Sequence, residues 1–245
     1  MRISIVIPAH NEEKRIINTL KRYGDFYGKL KREHVLSTEF IIVLNGCTDA
    51  TVDVINRIKR GYTDYLINII ELKESGKGLA ITAGFKDALT RDNDLIGFVD
   101  ADMSTSPGCF YELVQQSGLA DGIIASRYMP GARVVPTRPK VKRYGSKFLY
   151  EPLIWLLFGM RYYDYQCGAK LFKRVVLEKV VSRLTVRQWA FDVELLYLCK
   201  KFEYIIKEIP TIWHDKPDSK LKMVSGGLHM IGSLFIIRMR HLFGK

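Results

Sequence analysis

The chain has few cysteines, and they lie far apart. Its 245 residues include four of them, none in a C-x-x-C pair: Cys47, Cys109, Cys167 and Cys199. Zinc sites and disulfide frameworks depend on closely spaced or paired cysteines, so the sequence indicates neither. We therefore expect free, buried thiols.

Long apolar runs are missing too. The two most apolar stretches are residues 152–160 (PLIWLLFGM) and 230–237 (MIGSLFII). Both fall short of the roughly 20 residues that cross a bilayer as a helix. Arg2 leads directly into ISIVIP, without the basic start, apolar run and cleavage site of a signal peptide. We expect a cytoplasmic protein, for which attachment to a membrane surface stays open.

Acidic residues are scarce relative to basic ones. Lys and Arg total 38 and Asp and Glu total 26, which gives a formal net charge of +12. The favoured partners are therefore anionic, and they include nucleotide diphosphates, lipid phosphates, a membrane surface and nucleic acid. Composition alone does not choose among them.

Two common nucleotide-binding motifs are absent from the sequence. The SGKG segment has Gly78 where a P-loop requires Ser or Thr, and no G-x-G-x-x-G follows the first predicted strand. The kinase and dehydrogenase interpretations therefore lose their main support.

Short β-branched runs alternate with helical patterns along most of the chain. We predict strands at 3–8, 39–45, 66–72, 95–101 and 121–126, and helices at 12–30, 51–60, 77–89 and 107–117. This alternation is typical of βαβ units, so the predicted fold class is α/β with a mostly parallel central sheet flanked by helices. A basic stretch follows residue 126, and then come a predicted helix at 188–202, a strand-like run at 205–210 and a polar loop.

Polar residues collect where the predicted strands end. Asp100 and Asp102 follow the apolar LIGFV run, and two carboxylates one residue apart can share a hard divalent cation that also binds diphosphate oxygens. Such a cation would act as a Lewis acid on a departing diphosphate. Lys77 stands at a predicted helix start, where the helix N-terminus and the ammonium together favour an anion.

The motifs in order resemble the family 2 nucleotide-sugar glycosyltransferases, which have the GT-A fold. The matching segments in the first 130 residues are IVIPAHNEE, NGCTDAT, GKGLAITAGF and FVDADMS. The likeness continues through ASRYMPGA, DYQCGAKLFKR, RQWAFDVELLYL, DSKLK and RMRHLFG. It is strongest toward the branch of dolichyl-phosphate β-glucosyltransferases, whose neighbours are the dolichyl- and polyprenyl-phosphate mannosyltransferases.

The resemblance implies a donor site. Asp100 and Asp102 would hold Mg²⁺ or Mn²⁺ on the donor diphosphate. In place of the usual acidic pair of the second motif stand Leu44 and Asn45, and the amide of Asn45 would pair with a base edge instead. The residues expected to bind the nucleotide sugar are Pro8, Ala9, Glu12, Asn45 and Lys77, with Ser219 and Lys220 as a closing lid.

The resemblance also implies an acceptor site. Arg127, Arg143 and Lys147 would face the acceptor phosphate, and Gln166 to Gly168 would form an acceptor-side turn. Asp192 and Glu194 point away from one another on a helix, so only one faces the site, and we favour Asp192. Its expected role is to orient the acceptor or balance the basic cluster.

The predicted reaction is inverting transfer of a hexose to dolichyl or polyprenyl phosphate, with UDP-glucose favoured as donor and GDP-mannose left open. Residues 1–223 would form the GT-A domain, and residues 224–245 an amphipathic segment on the cytoplasmic face of a membrane. One alternative is a family 2 transferase acting on a soluble glycan. Another is a non-catalytic protein that binds nucleic acid through residues 127–147. We expect no nucleic acid partner, since the D-x-D segment has no role in that alternative.

Overall fold

A seven-stranded sheet forms the centre of the protein, with strand order β3-β2-β1-β4-β7-β5-β8. The computed structural model describes residues 1–61, 66–137, 147–216 and 223–243. The strands of this sheet are β1 (Arg2–Ala9), β2 (Ser37–Asn45), β3 (Leu66–Leu72), β4 (Leu95–Val99), β5 (Gly122–Ser126), β7 (Ala169–Lys173) and β8 (Ile206–Pro210). A second, two-stranded sheet pairs β6 (Arg133–Val135) with β9 (Ile212–His214).

Helices cover both faces of the large sheet. They are α1 (Ile16–Arg32), α2 (Thr51–Gly61), α3 (Lys77–Ala88), α4 (Pro107–Gln115), α5 (Lys147–Phe158), α6 (Arg174–Val180), α7 (Phe191–Lys201) and α8 (Met223–Phe243). One buried cluster joins the sheet to α1, α2 and α4. The other joins it to α3 and α5 to α8. The predicted α/β class with a mostly parallel sheet is confirmed.

The strand order places a ligand crevice beside β1. The chain adds β2 and β3 on one side of β1 and then returns to add β4 on the other, with all four strands parallel. In open α/β sheets, ligands bind beyond the carboxyl ends of the strands where the order reverses. The ends of β1 and β4 therefore mark the expected site.

Small residues let α3 lie close against the sheet, as its sequence predicts. A β-carbon placed on Gly84 would come within 2.3 Å of a Val6 methyl group. The start of α4 also follows its prediction, because the Ser106 hydroxyl accepts a hydrogen bond from the Cys109 amide at 3.2 Å and caps the first turn. All four cysteines are free thiols, as expected.

The structure corrects several predicted boundaries. The fourth strand ends at Val99 rather than at residue 101, so both aspartates of the D-x-D segment lie beyond it. Helices α1 and α7 begin at Ile16 and Phe191, later than predicted. Strand β7 was not predicted. It runs antiparallel between β4 and β5, and the fully buried Lys170 interrupts its apolar pattern.

The C-terminal helix α8 presents apolar residues on two faces. Met230, Leu234 and Ile237 are buried against the core. Phe235, Ile236, Met239 and Leu242 are each about half exposed, between 49% and 55%. No helix in the described parts of the chain is both long and apolar enough to cross a membrane. The proposed division at residue 223 stays a prediction.

Candidate active site

The D-x-D segment is a loop that is hydrogen-bonded to side chains of α1. The Thr19 hydroxyl donates to the Ala101 carbonyl at 2.6 Å, and the Tyr23 hydroxyl donates to the Thr105 carbonyl at 2.9 Å. Met103 has a φ of 61°, a left-handed conformation that side chains with a β-carbon adopt at an energetic cost. The loop is therefore held in one shape by one contact between the two aspartates and another after them.

Gly168 forms the wall against which Asp100 lies. The Asp100 amide donates to the Gly168 carbonyl at 3.0 Å. A β-carbon at residue 168 would fall 1.8 Å from Oδ2 of Asp100, far inside van der Waals contact. Only glycine leaves room for the carboxylate here.

Lys77 forms an ion pair with Asp100. Its Nζ lies 2.7 Å from Oδ1 of Asp100. It also lies over the rings of Phe98 and Trp189, at 5.8 and 5.6 Å from their centroids. Burial favours a lower pKa for Lys77, but the charges of Asp100 and Asp192 outweigh it and the pKa is raised. Lys77 therefore stays protonated as a fixed cation beside the D-x-D loop.

Asp102 is the second carboxylate of the loop. Its Oδ1 accepts a hydrogen bond from the Ser104 amide at 2.9 Å. Burial and the neighbouring charge of Asp100 together raise the pKa of Asp102. A cation would favour the charged form of Asp102 beside Asp100, so this pair suits a divalent ion.

The oxygen ligands fit Mg²⁺ or Mn²⁺. These hard cations prefer carboxylate oxygens, and Mg²⁺ is usually held by one or two carboxylates together with substrate phosphates. Within the described ranges, no group of three or more His, Cys, Asp or Glu side chains is arranged to hold a metal. Asp100 and Asp102 would thus supply part of a coordination sphere that phosphate oxygens and water complete.

The predicted nucleotide residues lie along the ends of β1 and β2. Pro8 and Ala9 end β1, and the carboxylate of Glu12 binds the guanidinium of Arg15 at 2.6 and 2.7 Å. A cavity of about 350 Å³ lies nearby at the ends of β2 and β3. It is lined by Leu44, Gly46, Cys47, Glu71, Leu72 and Lys73.

Asn45 has a structural role that differs from the predicted one. Its Nδ2 donates to the Ala9 carbonyl at 3.0 Å, and its Oδ1 accepts from the Gly76 amide at 3.0 Å. The side chain is buried, so both ends of the amide are used to tie β1 to the start of α3. The predicted contact between Asn45 and a base edge stays a prediction.

Arg127 is bound to an acidic partner. Its Nε and Nη2 donate to the two carboxylate oxygens of Asp164 at 2.7 and 2.9 Å, and its guanidinium lies over the Trp213 ring. Burial tends to raise the pKa of Asp164, but the charge and hydrogen bonds of Arg127 lower it overall. Asp164 thus binds two of the three guanidinium nitrogens. That Arg127 faces the acceptor phosphate stays a prediction.

Asp192 and Glu194 have different partners. Asp192 forms a buried ion pair with Lys170, with Nζ and Oδ1 2.5 Å apart. Glu194 accepts hydrogen bonds from Thr185 and Val186 and lies 2.9 Å from Nε2 of His241. Asp192 is thus the carboxylate on the Lys77 side, while Glu194 fastens α8 to α7.

The remaining predicted site residues have no described side chain. Arg143, Ser219 and Lys220 lie outside the described residues. Lys147 begins α5, but its side chain is not described. The structure therefore leaves their roles as predictions.

Sequence reasoning missed two charged residues that the fold brings to the site. Asp164 lies in the quoted DYQCG segment, and Lys170 follows in AKLFK. Lys170 carried a usable signal, since a lysine in an otherwise apolar strand is buried only with a partner. Its partner Asp192, however, is 22 residues away.

Residues 4–181 match the model of Glycosyl transferase family 2. Among curated relatives, the chain is 34% identical to a dolichyl-phosphate beta-glucosyltransferase of Drosophila melanogaster, across 100% of this chain and 76% of that protein. It is 32% identical to the protein of that name in Homo sapiens, across 99% and 76% of the two chains.

The fold is also similar to solved structures. Glucosyl-3-phosphoglycerate synthase from Mycobacterium tuberculosis, in complex with Mn²⁺, UDP-glucose and phosphoglyceric acid, superimposes with a TM-score of 0.67 at 17% identity. The match covers 97% of this chain and 79% of that one. The same enzyme has been crystallised with Mg²⁺ and UDP, and that structure gives a TM-score of 0.65. At this identity the likeness establishes the fold.

Proposed function

Because the chain belongs to glycosyl transferase family 2, we propose that it transfers a hexose from a nucleotide sugar to dolichyl or another polyprenyl phosphate. Glucose from UDP-glucose is the favoured donor. The observation that carries the proposal is the arrangement of Asp100, Asp102 and Lys77 at the reversal of strand order, 2.7 Å separating the lysine from the first aspartate. The names of relatives aligned along the whole chain support the acceptor and the sugar.

On the donor side, Asp100 and Asp102 would hold Mg²⁺ or Mn²⁺. When bound, the ion would supply Lewis-acid stabilisation of the departing nucleoside diphosphate. Lys77 stands at the first position of α3, where backbone amides and the ammonium both favour diphosphate oxygens. Pro8, Ala9 and Glu12 would contact the nucleoside, and Ser219 with Lys220 would close over the phosphates.

On the acceptor side, the attacking atom would be a phosphate oxygen. A phosphate monoester has a second pKa near 6, so it is largely ionised at neutral pH and needs no strong base. This agrees with the position of Asp192, whose carboxylate is held by Lys170. Asp192 would then help to position the acceptor and the basic residues around it.

Arg127 would bind the acceptor phosphate through Nη1, the guanidinium nitrogen that is not bonded to Asp164. Arg143 and Lys147 would bind the same phosphate. The ion pair with Asp164 fixes the plane of the guanidinium and so sets the direction in which Nη1 points. A preorganised donor loses less conformational entropy on binding than a free side chain.

The acceptor's long apolar chain requires work at a bilayer, and we propose peripheral attachment at its cytoplasmic face. The outward side of α8 supports this, with Phe235, Ile236, Met239 and Leu242 each about half exposed and Arg240 beside them. Apolar residues flanked by basic ones are typical of helices that lie in the membrane interface.

An assay with two donors and two acceptors tests the proposal. The purified chain is given UDP-glucose or GDP-mannose with Mn²⁺, and either polyprenyl phosphate in vesicles or a soluble oligosaccharide. We expect glucosyl transfer to the lipid phosphate and its loss in Asp102→Asn or in excess EDTA. Asp92→Asn is the matched control, because the Asp92 side chain is 91% exposed and lies away from the crevice.

Each other outcome has a defined meaning. Transfer from GDP-mannose alone would replace the sugar and the base but keep the acceptor. Transfer only to the soluble oligosaccharide would contradict the lipid acceptor while leaving the donor site in place. Full activity of Asp102→Asn in EDTA would contradict the metal site.

A further inference from the structure

Lys77 forms an ion pair with Asp100, a carboxylate that would bind a metal ion in the proposed function. Its Nζ lies 2.7 Å from Oδ1 of Asp100. The other oxygen, Oδ2, is the atom that approaches Gly168. Both oxygens of Asp100 therefore have a close neighbour within the protein.

The ammonium is held there by more than one contact. The Lys77 side chain is only 11% exposed, and its Nζ lies over the Phe98 and Trp189 rings, at 5.8 and 5.6 Å from their centroids. A cation over an aromatic face gains further stabilisation. A divalent ion that approached Asp100 would meet a fixed positive charge, and the two would repel one another.

We propose that Lys77 occupies the position of the divalent cation on Asp100 until a nucleoside diphosphate binds. The cation then binds together with the diphosphate, and the Lys77 ammonium moves from Asp100 to the diphosphate oxygens. The inference rests on the proposed donor site. A metal ion alone offers Lys77 no new partner, whereas a metal–diphosphate complex supplies anionic oxygens next to the start of α3.

The sparse ligand set supports the same conclusion. Asp100 and Asp102 are only two carboxylates, and no third His, Cys, Asp or Glu completes a metal-binding group in the part of the chain that is described. Diphosphate oxygens would therefore raise the affinity for the metal in two ways. They would fill coordination positions, and they would draw the Lys77 ammonium away from Asp100. Coupling between two ligands is reciprocal, so the metal must tighten nucleotide binding by the same factor.

Titration of Mn²⁺ into the full chain, followed by the loss of the free-ion electron paramagnetic resonance signal, tests this without catalysis. It is performed with and without saturating UDP on wild type, Lys77→Met and Lys77→Arg. Lys86→Met is the matched control, because Lys86 is an exposed lysine on the same helix. Folding of each variant is checked by circular dichroism, and Lys77→Gln serves if Lys77→Met does not fold.

For wild type, we expect UDP to tighten Mn²⁺ binding by about tenfold or more, within the usual range of coupling between sites. Lys77→Met should bind Mn²⁺ alone about fivefold more tightly than wild type and lose most of its response to UDP. Lys77→Arg and Lys86→Met should behave like wild type in the absence of UDP.

Two results would overturn the inference in different ways. If Lys77→Met binds Mn²⁺ alone no better than wild type and only UDP affinity falls, Lys77 is a plain phosphate-binding residue. The proposed exchange of the Lys77 ammonium for a metal ion on Asp100 is then wrong, although the proposed donor site stands. If wild type retains no Mn²⁺ even with UDP, or Asp102→Asn retains it fully, the metal site and the exchange both fail.

Discussion

Gly168 and Asp100 are in such close contact that their positions depend on one another. The Asp100 amide is bonded to the Gly168 carbonyl, and a β-carbon on residue 168 would stand 1.8 Å from the carboxylate. The glycine is supplied by the chain entering β7, and the aspartate by the chain leaving β4. The geometry of the D-x-D loop is thus set in part by a strand that the sequence pattern did not predict.

The first prediction follows from this contact. In Gly168→Ala the added methyl group would overlap the Asp100 carboxylate. The Asp100 side chain must therefore turn, or the loop must shift. We expect the rate of sugar transfer to fall by about 100-fold or more, because misplacing reacting groups by about 1 Å lowers reaction rates by about this factor. The measurements are the steady-state rate and the melting temperature. Gly118→Ala is the matched control, since its added methyl would meet no atom within 4 Å, and equal losses in both variants would contradict the prediction.

The second prediction concerns Arg127 and Asp164. Arg127→Lys keeps the charge but loses the two-pronged hydrogen bond to a carboxylate that is 2% exposed. We expect the unfolding free energy to fall by about 1–3 kcal/mol, with loss of transfer to polyprenyl phosphate and no loss of slow donor hydrolysis by water. Denaturant titration and the two rates measure these effects. Arg133→Lys, at an exposed position, is the comparison, and unchanged lipid transfer in Arg127→Lys would remove this residue from the acceptor site.

The third prediction is a pH dependence of stability. Burial would raise the pKa of Glu194, but its hydrogen bonds to His241, Val186 and Thr185 hold it below its ordinary value of 4.5. A carboxyl whose folded pKa is depressed stabilises the protein at pH values above its unfolded pKa. That contribution is lost as the pH falls through the folded value. Glu194→Gln should therefore be less stable than wild type at pH 7 by about 1–3 kcal/mol.

This difference should shrink as the pH falls below about 4.5, which denaturant titrations at several pH values would measure. A difference that stays constant from pH 7 to pH 3 would contradict the assignment. Glu178→Gln provides the comparison, because Glu178 forms an exposed ion pair with Arg174, and such pairs contribute little to stability.

The fourth prediction concerns the outward face of α8. Replacing Phe235 and Ile236 by Ser removes exposed apolar area without touching the buried residues of the same helix. We expect vesicle binding to weaken by about tenfold or more, since burying each such side chain contributes about 1.5–3 kcal/mol at full burial. The apparent Michaelis constant for the lipid should rise more than that for the nucleotide sugar.

Vesicle flotation and kinetics with vesicles of anionic and of neutral lipid measure both effects. The comparison is Leu119→Ser, an exposed apolar residue on another part of the surface. Equal binding by all three proteins would exclude α8 as the contact surface.

The position of the proposed donor half of the site followed from the sequence because its signals are local. The strands before Ala9, Asn45 and Asp100 are short β-branched runs, and parallel strands bring their carboxyl ends to one edge. Lys77 carried a helix-start signal of its own. The pairing of Lys77 with Asp100 was not predictable, because it depends on how α3 packs against β4.

The other half depends on contacts between residues that are distant in sequence. Arg127 and Asp164 are 37 residues apart, and neither residue alone indicates that they form a pair. The structural role of Asn45 was not predictable, because an amide suits a nucleobase as well as it suits two backbone groups. Only the fold brings the Ala9 carbonyl and the Gly76 amide to either side of it.

The antiparallel orientation of β7 has a consequence for how such an enzyme can diversify. Since β5 leaves the sheet at the edge where β7 enters it, residues 127–168 begin and end at one side of the molecule and need no crossover beneath it. This excursion includes Arg127, α5 and Asp164, whereas Asp100, Asp102 and Lys77 lie outside it. The buried face of α5 and the terminal Gly168 are fixed by their contacts with the core and with Asp100. Under the proposed function, the remaining surface parts of the excursion could therefore vary with the acceptor without rethreading the sheet.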